Sequence, residues 1–503
     1  MGNCQASQSF RPRLSRKRAM EWHIIENWPA YFGAAFFLYW LTVLVVLIND
    51  QRNPTRTLAW LIILTFLPLF GLVLYFFLGR NWKKIAEQNG LHERLHGLAA
   101  PRLSAVHEGY ATESKKARAW AAKHGWAALT ALIEQAEGGP PLPAWDAQIL
   151  ASGAEKFARL KLDLAGAKQT VNIQYFIWER DALTAELTAI LHERIAAGVE
   201  VRILNDFIGC LPYSKAELKQ LAAVGAKVHF DVRQIGKANY RNHRKIVVID
   251  GVLAYTGGIN VAQKYIDGGS RYPAWRDTHV CFAGPAVTEL QKLFALRWYE
   301  ATNENLFSER FFPDVYPEGK CSVPAQVAAT SVEDKWESAR RAHVLAISQA
   351  RQRVWVQSPY FVPDDQIYEA MVNAALAGID VRLMMTGWPD KKTAWYAAHT
   401  YFGPLLEAGG RIFLYTKGFF HAKTMTIDGM LLAIGTMNLD IRSLELHKEL
   451  MVWFLDEDLT REHESIFQAD LSHCEEYSLD RLRSLSRLAV FRNSALRLAS
   501  NLL

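Results

Sequence analysis

Two stretches near the start of the chain, Trp28 to Ile48 and Leu58 to Gly79, run without a charged residue, and from about residue 144 the pattern changes to short alternating blocks. Each uncharged stretch is long enough to cross a bilayer as a helix. Only NDQRNPTRT lies between them, so the pair is expected to form a transmembrane helical hairpin, with Pro68 and Gly71 tolerated as a kink. Trp28, Tyr31, Trp60 and Trp82 fall near the ends, where aromatic anchors belong. The first stretch ends in Asn49, Asp50 and Gln51 and exceeds a cleavable h-region in length, which argues against a signal peptide.

Beyond residue 144, β-branched and aromatic runs alternate with Ala/Leu-rich stretches such as ALTAELTAILHERIAAG (Ala182 to Gly198) and YEAMVNAALAGI (Tyr368 to Ile379). This is the strand and helix pattern of an α/β sheet. It occurs twice. GVEVRIL (Gly198 to Leu204) pairs with GIDVRLM (Gly378 to Met384), and VNIQYFI (Val171 to Ile177) with VWVQSPYF (Val354 to Phe361), at nearly equal offsets. A whole domain is therefore duplicated. The expected division is a basic tail over 1–27, two membrane helices over 28–80, a helical linker over 81–143, and α/β units over 144–320 and 321–503. The boundary between the units falls near Pro313 to Ser331, where periodicity breaks, and GGPPLP (Gly138 to Pro143) marks a turn.

Composition adds limits. A chain of 503 residues, half of them apolar, can hold two such cores, and a net charge of only +6 is weak for a nucleic-acid binder. Arg11, Arg13, Arg16, Lys17 and Arg18 precede the hairpin and Arg80, Lys83 and Lys84 follow it, against Arg52 and Arg56 between, so both ends are expected in the cytoplasm. Cys4, Cys210, Cys281, Cys321 and Cys474 are odd in number and lack a CxxC pair, which indicates neither a disulfide framework nor a zinc site. The opening Met-Gly-Asn-Cys lacks the Ser or Thr of a myristoylation signal, since Ala6 stands there. The tail from Arg481 mixes Leu with Arg at helical spacing, a pattern that suits an anionic lipid surface or packing on the second unit equally.

The chemistry is carried by His-x-Lys-x-x-x-x-Asp, present as His243, Lys245, Asp250 and again as His421, Lys423, Asp428. At ordinary Lys and Asp usage, chance would supply this spacing about 0.05 times. Both copies are followed at equal distance by a Gly-rich turn and an asparagine, Asn260 in GGIN and Asn438 in GTMN. Each unit thus offers an imidazole beside a cation on one strand face, suited to a phosphate ester whose developing charge the lysines offset. One histidine attacks as neutral imidazole; the other protonates the leaving oxygen and then deprotonates the incoming alcohol. No metal or other cofactor is required, and the lysines would repel a zinc ion. Asp250 and Asp428 leave the shared face and take a supporting role, while Asp277 in WRDTH and Glu449 in LHKEL are the candidates for orienting the imidazoles.

With these pieces in view, the sequence resembles the phospholipase D superfamily and, within it, the bacterial cardiolipin synthases. The resemblance rests on RNPTRTLAWLIILTFLPLFGLVLYFFLGR (Arg52 to Arg80), NYRNHRKIVVIDG (Asn239 to Gly251), WRDTHV (Trp275 to Val280), QSPYFVPDD (Gln357 to Asp365) and GFFHAKTMTIDG with GTMNLDIRS (Gly418 to Ser443). It implies two membrane segments, two α/β units sharing one active site, and a multi-pass place in the bacterial inner membrane. It also implies phosphatidyl transfer between two phosphatidylglycerol molecules, giving cardiolipin and glycerol, with membrane phospholipid and not nucleic acid as partner. By position, His243 looks like the nucleophile and His421 the general acid and base, with Lys245, Lys423, Asn260 and Asn438 holding phosphate. Related synthases usually carry Asn shortly before the second-unit carboxylate; this chain has His447. The same site chemistry would serve a hydrolase or another phosphatidyltransferase, whereas a non-enzymatic scaffold would show one degraded motif.

Overall fold

In the computed structural model, which describes residues 27–49, 54–79, 90–210, 215–231, 239–331 and 334–499, the alternating blocks become a single large sheet flanked by helices. Its fifteen strands are, in chain order, β1 (Leu142–Leu150), β2 (Thr170–Tyr175), β3 (Glu200–Asp206), β4 (Lys227–Asp231), β5 (Ile246–Ile249), β6 (Leu253–Gly257), β7 (His279–Ala283), β8 (Ser322–Thr330), β9 (Arg353–Gln357), β10 (Asp380–Thr386), β11 (Arg411–Tyr415), β12 (Thr424–Ile427), β13 (Leu431–Gly435), β14 (Glu449–Leu455) and β15 (Cys474–Tyr477). Outward from the antiparallel β1–β8 pair the order is β1-β7-β6-β5-β2-β3-β4 on one side and β8-β14-β13-β12-β9-β10-β11-β15 on the other. The duplication is thus a pseudo-twofold repeat, with β15 added at one edge.

Strand β8 lies inside the stretch that periodicity marks as a boundary. Its small residues and Pro324 read as a linker, yet Ala325 to Thr330 are buried, and the strand joins the halves by pairing with both β1 and β14. Likewise GGPPLP ends early, because Leu142 and Pro143 already belong to β1. The expected helical linker is built into the body: Ala99, Leu103 and Val106 of the helix Leu91–Gly109 enter the central core, and Trp126, Leu129 and Ile133 enter the core of the second half.

Each half has its own apolar core, with Ile173, Leu187, Ile203 and Val247 in the first and Val356, Leu383, Phe402 and Met425 in the second. A third core mixes Leu142, Val248 and Phe282 with Leu432, Val452 and Phe454, so the halves cannot part without exposing it. Phe282 and Phe454 meet edge to face at 5.9 Å across the joint, each burying a side chain worth about 1.5–3 kcal/mol. Residues 82–503 accordingly form one compact unit.

Residues 1–81 form the other unit. The helix Trp28–Asn49 is apolar throughout and its window Trp28–Val45 is long enough to cross a membrane. The second uncharged stretch is broken into Pro54–Phe66, Pro68–Leu74 and a wide turn Tyr75–Gly79. Pro68 is the cause: it disfavours helical geometry at the residue before it, and Leu67 sits at φ −133°, ψ 63°. Val43 and Leu47 share a small core with Trp60 and Leu64, and the Tyr39 hydroxyl donates to the Leu64 carbonyl at 3.1 Å. Trp60 is therefore buried against Tyr75, with ring centroids 5.2 Å apart, rather than standing at an end as an anchor. Trp82 and the charges at 11–18, 52, 80, 83 and 84 that bear on orientation lie outside the described residues, as does Cys4.

Candidate active site

Both histidines lie in extended segments just before β5 and β12, not within the strands, because their backbone bonds across to the other half. His243 N–H donates to the Lys448 carbonyl at 3.0 Å, and His421 N–H donates to the Arg276 carbonyl at 2.7 Å. Each of those carbonyls precedes a carboxylate. The parallel bridge Asn242–Lys448 and the parallel pair Phe420–Arg276 therefore bring Glu449 beside His243 and Asp277 beside His421. His243 Nδ1 stands 2.9 Å from Glu449 Oε1, and His421 Nδ1 stands 2.7 Å from Asp277 Oδ2. Both motif histidines thus lean on a carboxylate of the opposite half, so neither half holds a complete site.

With Nδ1 engaged, each Nε2 is left for substrate. Both imidazoles line a cavity of about 450 Å³, together with Asn260, Asn438, Lys391 and Arg442. Aromatic walls fix the rings: Phe176 meets His243 at 4.9 Å, and Trp275 and Phe419 flank His421 at 5.4 and 5.7 Å. Asn260 Oδ1 accepts from Ile177 N–H at 3.2 Å and its amide donates to the Tyr265 hydroxyl at 3.3 Å. Asn438 donates to Ser443 Oγ at 3.4 Å, and its own Oδ1 is buried without a partner among the described residues.

The lysines sit differently from expectation. Lys245 and Lys423 are buried, each turned back onto the carbonyl of its own motif histidine, and neither lines the cavity. They stand behind the imidazoles rather than at the cavity wall. Burial pulls Lys245 down to about 7 and Lys423 to about 8, against the upward pull of Glu449 and Asp277 respectively. Burial and the adjacent lysine hold His243 well below its ordinary value and bring His421 to about 4, with Asp277 opposing the fall.

The motif aspartates are not brought to the cavity. Asp250 accepts from the N–H groups of Lys168, Gln169 and Thr170 at 2.7–2.8 Å, and Asp428 from Arg351, Gln352 and Arg353 at 2.7–2.9 Å. Both sit at φ 54° in the turns that follow β5 and β12, a conformation Asp tolerates, and both tie that turn to the start of the neighbouring strand.

The two carboxylates differ in surroundings. Gly258 passes so close to Asp277 that a Cβ there would lie 2.0 Å from Oδ1. The matching position in the second half is Thr436, whose hydroxyl donates to Glu449. His447 adds a further group: its Nε2 accepts from Arg442 Nε at 3.3 Å, which leaves the proton on Nδ1, 3.9 Å from Glu449 Oε1. Burial pushes Glu449 up to about 8 despite Lys245 and Thr436, whereas for Asp277 burial is outweighed by Lys423 and His421, which hold it below the usual carboxylate range. The crossed pairing, Thr436, Lys391 and Arg442 escape a reading of spacing alone. Thr436 leaves a trace in the second letter of GTMN, where GGIN has Gly258.

Comparison with known proteins decides the lineage. Residues 160–272 and 344–471 match the family described as Cardiolipin synthase, PLD-like domain, and residues 38–80 match Phospholipase D-nuclease N-terminal. "Cardiolipin synthase 2" of Bacillus anthracis is 35% identical over 491 residues, covering 91% of this chain and 89% of that protein. The chain belongs to the cardiolipin synthase family, and so to the phospholipase D-like phosphatidyltransferases. The major cardiolipin synthase ClsA of Bacillus subtilis (strain 168) is 31% identical, with 87% of this chain and 91% of that one covered. Among solved structures, phosphatidylserine synthase of Haemophilus influenzae Rd KW20 superposes with a TM-score of 0.56 at 15% identity, over 74% of this chain and all of that chain, a likeness of fold.

Proposed function

We propose that this cardiolipin synthase family member moves a phosphatidyl group from one phosphatidylglycerol to a second, releasing glycerol and forming cardiolipin through a phosphohistidine. The observation that supports it is the crossed arrangement of two imidazoles, each on a buried carboxylate of the other half, at one cavity. His243 Nε2 attacks the donor phosphorus while His421, whose imidazolium the entering phosphodiester anion and Asp277 favour against the burial that lowers it, donates Nε2–H to the departing glycerol oxygen, so the P–N bond forms as the P–O bond breaks. The terminal hydroxyl of the acceptor then gives its proton to His421 and attacks phosphorus, and the P–N bond breaks. Lys245 and Lys423 offset the charge of the five-coordinate transition state from behind the rings, and Asn260 and Asn438 bond its oxygens.

The unequal carboxylates support this division of labour. The proton carrier is served by ionised Asp277, which stabilises the imidazolium, and the nucleophile by the more basic Glu449, which in its ionised form accepts the His243 Nδ1–H strongly and leaves the Nε2 lone pair bare. Lys391 and Arg442, at the cavity wall, suit the acceptor's own phosphate, which lies only a glycerol away from the reacting phosphorus.

The membrane part of the reading is that both uncharged stretches span the bacterial cytoplasmic membrane, with the α/β units over 144–320 and 321–503 on the cytoplasmic side. Its support is the length of the first helix and the charge distribution around the pair. The reaction is tested with purified protein in phosphatidylglycerol micelles without added divalent metal. Cardiolipin and glycerol in equal amounts are expected; phosphatidic acid as the sole lipid product would make the protein a hydrolase.

A further inference from the structure

The helix Arg487–Ala499 closes the described chain and packs one face on the helix Lys392–Glu407. That inner face is Ala489, Asn493 and Leu496: Asn493 is 4% exposed and Leu496 rests on the second-half core. The opposite face is apolar and bare. Leu488, Phe491 and Leu498 are 78%, 71% and 84% exposed, and Ala495 between them is exposed as well. At about 100° per residue the four fall within roughly 80° of arc, a continuous stripe and not scattered positions. Packing accounts for the inner face only.

Charge selects what covers the stripe. From Arg481 to Leu498 the chain has five arginines, at 481, 483, 487, 492 and 497, and no acidic residue. On the helical wheel Arg487 and Arg492 border the stripe on either side. The guanidinium of Arg492 lies 3.5 Å from the ring centroid of Tyr396, on the helix whose first residues Thr393 and Ala394 line the cavity. The apolar stripe thus stands one helix away from the wall of the site. Apolar side chains framed by arginines match the interfacial layer of an anionic bilayer, where the apolar face enters the acyl boundary and the cations meet phosphates.

We propose that the helix Arg487–Ala499 is an interfacial element that lies in the surface of an anionic phospholipid bilayer and holds the cavity wall at Thr393 and Ala394 near it. Leu488, Phe491 and Leu498 insert, Arg487 and Arg492 pair with headgroup phosphates, and the Arg492–Tyr396 stack transmits that position to the helix that lines the cavity. The inference takes from the proposed reaction only that the substrate resides in a bilayer.

The test uses the full chain, with Cys4→Ser and Cys321→Ser, carrying a bimane label at Phe491→Cys or, as a control, at Glu475→Cys on β15. In phosphatidylglycerol bilayers, brominated acyl chains are expected to quench the label at 491 by about two-fold or more and leave that at 475 unchanged. An unquenched label at 491 overturns the proposal, and so does a label already shielded in detergent without lipid, which would mean a protein segment or second copy covers the stripe. In parallel, Leu488→Asp/Phe491→Asp/Leu498→Asp should lower turnover of bilayer phosphatidylglycerol about ten-fold and leave turnover of a short-chain monomeric analogue within about two-fold. Equal losses on both substrates contradict a surface role. If the protein made no cardiolipin at all, the quenching would still report on the helix.

Discussion

The two halves of the site are near copies in sequence and unequal in electrostatics. His421 leans on a carboxylate held below the usual range by Lys423, whereas His243 leans on one that burial lifts to about 8. The difference comes from few substitutions: Glu for Asp, Thr436 where the other half has Gly258, and His447 as an added neighbour. It gives a duplicated motif two unlike electrostatic settings. The imidazoles need not change if their partners do, and because each partner is supplied by the opposite half, neither half can drift alone.

The comparison breaks most sharply at the carboxylates. Asp277→Asn is expected to lower kcat by about 10³-fold or more, since the imidazole that carries the proton loses its ionised partner. Glu449→Gln should cost only about ten-fold, because the amide oxygen can still accept the His243 Nδ1–H and keep Nε2 bare for attack. Rates of glycerol release for the two variants check this, and equal losses would mean that the half-sites are equivalent.

A smaller effect is expected in the pH profile. Lys245 and Lys423 have values lowered to about 7 and 8, so each is charged below that pH and loses its charge as pH rises through it. The kcat/KM of the free enzyme should therefore fall above pH 8, even as Glu449 becomes ionised. Lys245→Arg, which stays charged, should carry that limb to higher pH. An alkaline limb unmoved in Lys245→Arg would remove Lys245 from the account.

The smallest effect on catalysis, and the most symmetric, belongs to the motif aspartates. Asp250→Asn and Asp428→Asn each weaken three backbone hydrogen bonds and should cost about 1–3 kcal/mol of stability. Both should lower the melting temperature by similar amounts while kcat per folded molecule changes by less than about ten-fold. A large kcat loss at an unchanged melting temperature would return the aspartates to the catalytic machinery.

Much of this was legible in the chain itself. The α/β class, the duplication and both histidines follow from local periodicity and a repeated spacing, which a single sequence carries directly. The candidates Asp277 and Glu449 were legible as carboxylates at similar distances beyond each motif. Their crossing was not, because it depends on backbone bridges between residues about 145 to 205 apart. The inward turn of Lys245 and Lys423 was hidden for a related reason: alternation fixes side-chain direction inside a strand, and these residues precede theirs. Strand β8 was missed since Ala and Pro carry little strand signal, and its burial is imposed by neighbours on both sides. The uncharged run through Leu67 hid a break that one proline imposes.

The central claim is that the unequal partners make His243 the nucleophile and His421 the proton carrier. The direct measurement is acid-quenched trapping of the phosphatidyl-enzyme from labelled phosphatidylglycerol, in the native protein and in His421→Ala and His243→Ala, with peptide mapping of the phosphorus. The account predicts label on His243 in the native protein, label that persists on His243 in His421→Ala because the second step stalls, and no label in His243→Ala. Phosphorus on His421, in any of the three, would contradict it.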